Sequence, residues 1–327
     1  AELREKLAQK YYAGLVKAEE VFISDGAKCD LARLQMLFGP KTRIAMQDPA
    51  YPVYVDSSVI EGATGPYNKD SAGFEGLTYW ACSPDNNFFP NLKEQEPVDV
   101  IFFCSPNNPT GAVATRKQLE ELVAYAKATR AIIVFDAAYA MYIQDPGLPK
   151  TIYEIPGADE VAIEINSFSK SAGFTGLRLG WSVVPNKLQF EDGSPVRPDW
   201  VRIMTTLFNG ASNIIQWGGL AALEEKGWEE MQGLIKYYLE NARLIKACLE
   251  ELNIENYGGF NAPYIWANFS GQRSWDAFEK ILNSAHIVTT PGSGFGAAGE
   301  GFLRLSAFGH RENIEEACIR LKNLFQN

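Results

Sequence analysis

Val98-Asp99-Val100-Ile101-Phe102-Phe103 and Ala131-Ile132-Ile133-Val134-Phe135-Asp136 are two short apolar runs separated by a stretch of helical pattern. Runs that stay apolar without alternating belong to strands covered on both faces, the condition met in a parallel sheet wrapped by helices. Between them, residues 115–129 place Leu119, Leu122, Val123 and Ala126 at spacings of three and four, which is one apolar face of a helix. Residues 161–165 and 180–184 read as further strands, so the first two thirds of the chain alternate strand and helix.

Beyond Trp200 the pattern changes to long helices. A run over 227–252 keeps Met231, Leu234, Ile235 and Leu239 in register and reads as a connector between domains. The remainder predicts a strand over 264–269, a helix over 275–284, strands over 287–290 and 302–307, and a closing helix from Glu312. Pro- and Gly-rich loops such as Asp145-Pro146-Gly147 and Pro291-Gly292-Ser293-Gly294 separate the elements. The expected fold class is therefore α/β: a large domain, residues 1–226, with a mostly parallel sheet wrapped by helices, then a connector helix and a smaller C-terminal α/β domain, residues 227–327.

Bulk properties narrow the function. At 327 residues the chain exceeds what one small core organises. Its 46% hydrophobic and 21% charged content is ordinary globular usage, and no stretch approaches the roughly 18 apolar residues of a membrane span. A net charge of −10, with no basic cluster, argues against nucleic acid as a partner. Five cysteines, Cys29, Cys82, Cys104, Cys248 and Cys318, contain no CxxC pair, so no disulfide framework or zinc site is expected and a reducing compartment fits best. His286 and His310 lack metal-ligand spacing and read as structural or surface groups. The polar start, Ala1-Glu2-Leu3-Arg4-Glu5-Lys6, predicts no secretory signal.

The chemistry concentrates in Ser167-Phe168-Ser169-Lys170-Ser171-Ala172-Gly173-Phe174-Thr175-Gly176-Leu177-Arg178-Leu179-Gly180-Trp181. Small and aromatic neighbours desolvate Lys170 and favour the uncharged amine that a covalent cofactor anchor requires. Ser167 and Ser169 offer hydroxyls, and Arg178 a planar fork, to phosphate oxygens. Asp136 ends an apolar strand, where open parallel sheets hold ligands, and can keep a heterocycle protonated. Tyr139, three residues on, and Asn108, in Asn107-Asn108-Pro109-Thr110-Gly111, can both donate to a phenolic ring oxygen; a strand-end cap and a plain turn are the alternatives. Ser24-Asp25-Gly26-Ala27-Lys28-Cys29-Asp30 precedes an apolar helical run over 31–38, a glycine turn whose N–H groups attract an anion or simply cap a helix. Tyr51, among prolines, can stack on a flat ring or only pack. Arg304 interrupts the strand Phe302-Leu303-Arg304-Leu305 and calls for an anionic partner such as a substrate carboxylate.

In this order, and over nearly the whole chain, these pieces resemble the fold type I pyridoxal phosphate aminotransferases. The resemblance rests on Ser-x-Ser-Lys with an arginine eight residues after the lysine, Asn-Pro-Thr-Gly, Asp-x-x-Tyr at a strand end and a late strand arginine. Within that family the stretches Gly173-Phe174-Thr175-Gly176, Phe208-Asn209-Gly210-Ala211-Ser212-Asn213, Val288-Thr289-Thr290-Pro291-Gly292-Ser293-Gly294-Phe295-Gly296 and Phe308-Gly309-His310-Arg311-Glu312-Asn313 are similar to the LL-diaminopimelate aminotransferases. The resemblance implies pyridoxal 5'-phosphate as cofactor, with Lys170 as its Schiff-base lysine, Asp136 at the pyridine nitrogen, Asn108 and Tyr139 at the ring oxygen and Tyr51 stacked on the ring. It implies Ser167, Ser169, Arg178, Ala27 and Lys28 at the phosphate, and Arg304, Lys28, Asn108 and Asn209 at the substrate, Asn209 reaching the neighbouring subunit's site.

The same resemblance implies a homodimer, small amino-acid and keto-acid substrates, and a cytoplasmic location, or the plastid stroma in a plant or alga. The expected reaction interconverts LL-2,6-diaminopimelate and tetrahydrodipicolinate with 2-oxoglutarate and glutamate, in lysine biosynthesis. The family's N-terminal arm is expected to be absent from this chain. An alanine or aromatic aminotransferase, or a carbon–sulfur lyase, shares the same lysine, aspartate and arginine; an aminotransferase-like effector domain of a DNA-binding regulator would need a helix-turn-helix domain and a basic surface.

Overall fold

The computed structural model describes residues 1–269 and 271–326. The buried apolar runs form the middle of a seven-stranded sheet: β1 (Val21–Ser24), β2 (Ile44–Asp48), β3 (Leu77–Ala81), β4 (Val100–Cys104), β5 (Ile132–Asp136), β6 (Ala162–Ser167) and β7 (Gly180–Val183), in spatial order β1-β7-β6-β5-β4-β2-β3. Strands β3, β2, β4, β5 and β6 are parallel; β7 is antiparallel to both β6 and β1. Every residue of β2, β4, β5 and β6 is buried.

Side-chain alternation along these strands divides the core into two layers. Ile101, Phe103, Ile133 and Phe135 pack in the layer that holds Leu119, Leu122, Val123 and Ala126 of helix α4 (Arg116–Thr129), together with Leu3 and Leu7. Val100, Phe102, Ile132 and Val134 pack in the other, with Leu31 and Leu34 of α2 (Ala27–Phe38) and Tyr54 of α3 (Val53–Glu61). Each face of the sheet is thus sealed, which is why β4 and β5 stay apolar without alternation as far as Asp136. Helix α4 starts where the pattern placed it: Thr115 accepts the Gln118 N–H and Gln118 Oε1 accepts the Thr115 N–H, a reciprocal cap.

Helices α1 (Glu2–Lys6), α6 (Val196–Leu207) and α7 (Asn213–Leu223) come before the long helix α8 (Glu225–Glu251), which spans both parts of the molecule. Its first half, with Met231, Ile235 and Leu239, packs on the large core; Ala242, Ile245, Cys248 and Leu249 pack on a third cluster. That cluster lies between α8, α9 (Ser274–Ala285), α10 (Arg311–Gln326) and a four-stranded antiparallel sheet of order β8 (Asn256–Gly258), β9 (Tyr264–Asn268), β11 (Phe302–Ser306), β10 (Thr290–Pro291). We propose the domain boundary near residues 226 and 227, at the start of this helix.

Two expectations need correction. The strand expected over 287–290 shrinks to Thr290–Pro291, because His286 ends α9 in a left-handed conformation (φ 54°) and Val288 is left exposed. The helix expected to begin at Leu31 begins at Ala27, so Ala27 and Lys28 lie in its first turn, not in the turn before it. A hairpin, Tyr67–Asn68 with Gly73–Phe74, carries no apolar run and escaped the sequence reading.

The N-terminal segment is tied to the sheet by a polar network. Glu164 of β6, fully buried, accepts hydrogen bonds from Tyr12 Oη (2.8 Å), the Thr151 hydroxyl and the Ile152 N–H (3.1 Å). Burial raises its pKa to about 7, the hydrogen bonds from Thr151 and Tyr12 only partly offsetting it. The neutral acid is therefore favoured in the folded chain. Its stabilisation is complete below the unfolded value of 4.5 and is lost as pH rises through about 7. Glu164→Gln should flatten the fall of unfolding free energy between about pH 4.5 and 7, by up to about 1.4 kcal/mol per pH unit in urea titrations. An unchanged slope in the variant would refute this ionisation.

Candidate active site

Where β2, β4, β5 and β6 end, the chain turns into loops that enclose a cleft of ≈ 570 Å³. Ten of the residues singled out in the sequence line it: Ala27, Lys28, Tyr51, Asn108, Asp136, Tyr139, Ser167, Ser169, Lys170 and Arg178. They come from five separate segments. Parallel strands deliver them to one rim because all their carboxyl ends point the same way.

One end of the cleft is built for an oxyanion. Ser167 caps the short helix α5 (Phe168–Ser171), its Oγ accepting the Ser169 N–H at 3.0 Å and lying 2.8 Å from Ser169 Oγ. Arg178 is held in a left-handed conformation (φ 63°), and its Nη1 donates to the Thr175 carbonyl at 2.9 Å. The guanidinium lies directly over Gly26: a Cβ there would sit 2.3 Å from Arg178 Nη2, and its φ of 122° also requires glycine. Gly26 precedes α2 with no side-chain cap, and the Cys29 N–H already donates to the Gly26 carbonyl, so it is the Ala27 and Lys28 N–H groups, with the positive end of the helix, that can meet an anion. Gly180 allows β7 to approach this turn, since a Cβ would meet Gly26 Cα at 2.8 Å and Ala27 N at 2.9 Å.

At the other side Asp136, 4% exposed, receives the Tyr54 hydroxyl at 2.8 Å and the Ala138 N–H at 3.1 Å. Burial raises its pKa and these two bonds oppose the rise. Neither partner is a cation, so a protonated heterocycle would complete the pair. Above it, the Asn108 side-chain carbonyl accepts from Arg304 Nη1 at 2.7 Å, which leaves the Asn108 amide N–H₂ as a donor. The Tyr139 hydroxyl lies 2.7 Å from that of Tyr264.

Lys170 is half-buried, with its ammonium 5.0 Å from the centre of the Phe308 ring. Burial lowers its pKa, and the charges of Arg304, Arg178 and Lys28 lower it further. None of these four cations forms an ion pair with a carboxylate among the described residues. Arg304 Nε is moreover buried with no partner. An acidic protein that gathers Lys28, Lys170 and Arg178 in one cleft, with Arg304 backing it and none of the four paired to a carboxylate among the described residues, is suited to anionic ligands there.

Arg304 does not line the cleft itself but backs it through Asn108 and lies over the rings of Tyr264 (4.6 Å) and Phe295 (4.8 Å). Asn209 is not brought here: it lines a different surface cleft with Leu3, Arg4 and Phe22. Sequence reasoning missed Tyr54 and Tyr264. A tyrosine that opens a buried strand or sits on the inward face of a helix needs a partner for its hydroxyl, a signal that both positions carried.

The arrangement fits pyridoxal phosphate in each part: a half-desolvated lysine, a buried acid lacking a cation, two donors for one oxygen and an oxyanion corner. Comparison with known proteins agrees. The family model for aminotransferase class I and II matches residues 1–321, and the chain belongs to that family of pyridoxal phosphate-dependent enzymes. It is 57% identical, over 99% of its length and 70% of the relative's, to a probable LL-diaminopimelate aminotransferase, chloroplastic, of Oryza sativa subsp. japonica. To the LL-diaminopimelate aminotransferase of Protochlamydia amoebophila it is 53% identical, over 98% of this chain and 78% of the relative. The solved structure of the L,L-diaminopimelate aminotransferase from Chlamydomonas reinhardtii superposes with a TM-score of 0.96 at 59% identity, covering 99% of this chain and 79% of that one. No helix among the described residues is long and apolar enough to cross a membrane.

Removing the Tyr54 hydroxyl tests the acid's environment. Tyr54→Phe leaves Asp136 with one hydrogen bond and should weaken pyridoxal phosphate binding by about tenfold or more, the worth of one charge-assisted hydrogen bond. Fluorescence titration of the apo-protein measures it; parent-like affinity would show that Tyr54 does not support Asp136.

Proposed function

We propose that this chain transfers the amino group between LL-2,6-diaminopimelate and 2-oxoglutarate, giving tetrahydrodipicolinate and glutamate, a step of lysine biosynthesis. The observation that carries this reading is identity of 53–59% over nearly the whole chain to enzymes named for that amino donor, joined to a cleft whose cations suit a doubly anionic, amino-bearing substrate.

Pyridoxal phosphate, when bound, supplies a carbonyl carbon that takes up the amino group and a ring that withdraws electrons from the α-carbon. The remaining work falls to the protein. Arg178, Ser167, Ser169 and the first turn of α2, with Ala27 and Lys28, hold a phosphate. Asp136, kept acceptor-only by Tyr54 and Ala138, retains a proton on a ring nitrogen. Asn108 and Tyr139 would donate to the ring oxygen, and Tyr51, which lines the same cleft, would pack on the ring. Arg304 receives the α-carboxylate, and Lys28 can take a second acidic group. Lys170, shifted toward its neutral form by burial and by three cations, is the base that moves the α-proton; held in the cleft, it reacts with the advantage of an intramolecular group.

A second copy of the chain completes the reading. Leu207, Ile214 and Trp217, close to Asn209 in sequence, are exposed large apolar side chains of the kind a homodimer interface covers, and across such an interface Asn209 would reach the partner's site.

Borohydride reduction of the loaded protein should fix the cofactor on the peptide containing Lys170, and Lys170→Ala should slow the half-reaction with LL-diaminopimelate by about 10²–10⁴-fold. A label elsewhere, or no half-reaction with that donor, contradicts the proposal. Trp217→Glu should convert a dimer to a monomer in sedimentation velocity; an unchanged mass would remove this face from the interface.

A further inference from the structure

Tyr264 has no part in the roles assigned so far, yet it touches both Tyr139 and Arg304. It opens β9 in the small domain and is 4% exposed. Its hydroxyl is 2.7 Å from that of Tyr139, its ring lies 4.6 Å from the Arg304 guanidinium carbon, and it meets Phe308 edge-on at 5.9 Å. Phe308 in turn faces the Lys170 ammonium. We propose that Tyr264 is a positioning residue through which the arginine that receives the substrate carboxylate tunes the Tyr139 hydroxyl that faces the cofactor's ring oxygen. This rests on the roles proposed above for Tyr139 and Arg304.

The direction of the effect follows from charge. A guanidinium over the phenol ring draws electron density from the Tyr264 oxygen and makes its O–H the better donor of the two. Burial raises the pKa of both tyrosines, but the Arg304 charge pulls that of Tyr264 back down. Tyr264 therefore donates to the Tyr139 oxygen, and the Tyr139 proton is free to go to a third group. Each bond in such a chain polarises the next, so Tyr139 becomes a stronger donor while Arg304 is unneutralised. A carboxylate arriving at Arg304 weakens the chain and makes the ring oxygen more basic. The bond from Arg304 to Asn108 runs in parallel to the second donor of the same oxygen, so the route through Tyr264 carries part of the coupling and not all of it.

The test is the pH midpoint of the visible absorption band of the pyridoxal phosphate-loaded protein, with and without succinate, a dicarboxylate that cannot react. Tyr264→Phe keeps the ring under Arg304 and against Phe308 and removes one oxygen. It should raise the midpoint by about 0.5–1 pH unit, the equivalent of one hydrogen bond, and reduce the shift that succinate produces. Tyr139→Phe should raise the midpoint at least as far, and the double variant no further than Tyr139→Phe alone, since Tyr264 acts through Tyr139. A Tyr264→Phe midpoint equal to the parent's overturns the proposal. So does a shift that adds in full to that of Tyr139→Phe. A Tyr139→Phe protein that titrates like the parent overturns the role of Tyr139 as well, and so separates failure of the site reading from failure of the coupling.

Discussion

Burial of β4, β5 and β6 on both faces is the constraint from which the rest of the molecule follows. A strand with helices packed above and below admits a charged or hydrogen-bonding side chain only where buried partners meet it, as Tyr12, Thr151 and Ile152 meet Glu164 of β6. Polar chemistry is pushed to the strand ends, and because these strands are parallel their ends share one rim. Asp136, Ser167 and, just beyond β4, Asn108 are the first polar side chains that can face a ligand, and each emerges at the same edge of the sheet.

Unpaired charge then defines what the rim can hold. Lys28, Lys170, Arg178 and Arg304 repel one another across a half-desolvated cleft, and their mutual repulsion is one reason the lysine is poised to lose its proton. The cost of assembling them is recovered only when anions arrive. Asp136 poses the converse case, a buried acid with two hydrogen bonds and no cation. Apo-protein chemistry of this kind is complementary to a zwitterionic ligand with a phosphate at one end and a protonated ring nitrogen at the other.

The small domain contributes through contacts more than through residues lining the cleft. Arg304 on β11 bonds to Asn108, Tyr264 on β9 meets Tyr139, and Asp48 at the end of β2 accepts the Ala298 N–H at 3.2 Å with both carboxylate oxygens. Burial raises the Asp48 pKa to about 6, so this junction carries a charge that varies near neutrality. Arg304 and Tyr264 thus sit on one sheet and Asp136 and Ser167 on another, and the two sheets are joined by side chains that reach across.

The sequence by itself determined the local elements and the chemical inventory. Apolar runs without alternation identified the sheet, three- and four-residue spacing identified α4 and α8, and the order of Asn108, Asp136, Tyr139, Lys170, Arg178 and Arg304 marked the site. Those features are legible because they arise from interactions within a few residues or from residue types whose burial demands a partner. Tertiary structure alone decided which groups meet. Tyr54 reaches Asp136 across 82 residues and Tyr264 reaches Tyr139 across 125, separations over which no spacing rule operates. It also decided that Asn209 lies away from the cleft of its own chain, and that His286 turns the chain before a strand can form at 287–289. Pairing across such distances depends on how strands order themselves in the sheet and how helices pack on it, and that is settled by the whole core at once.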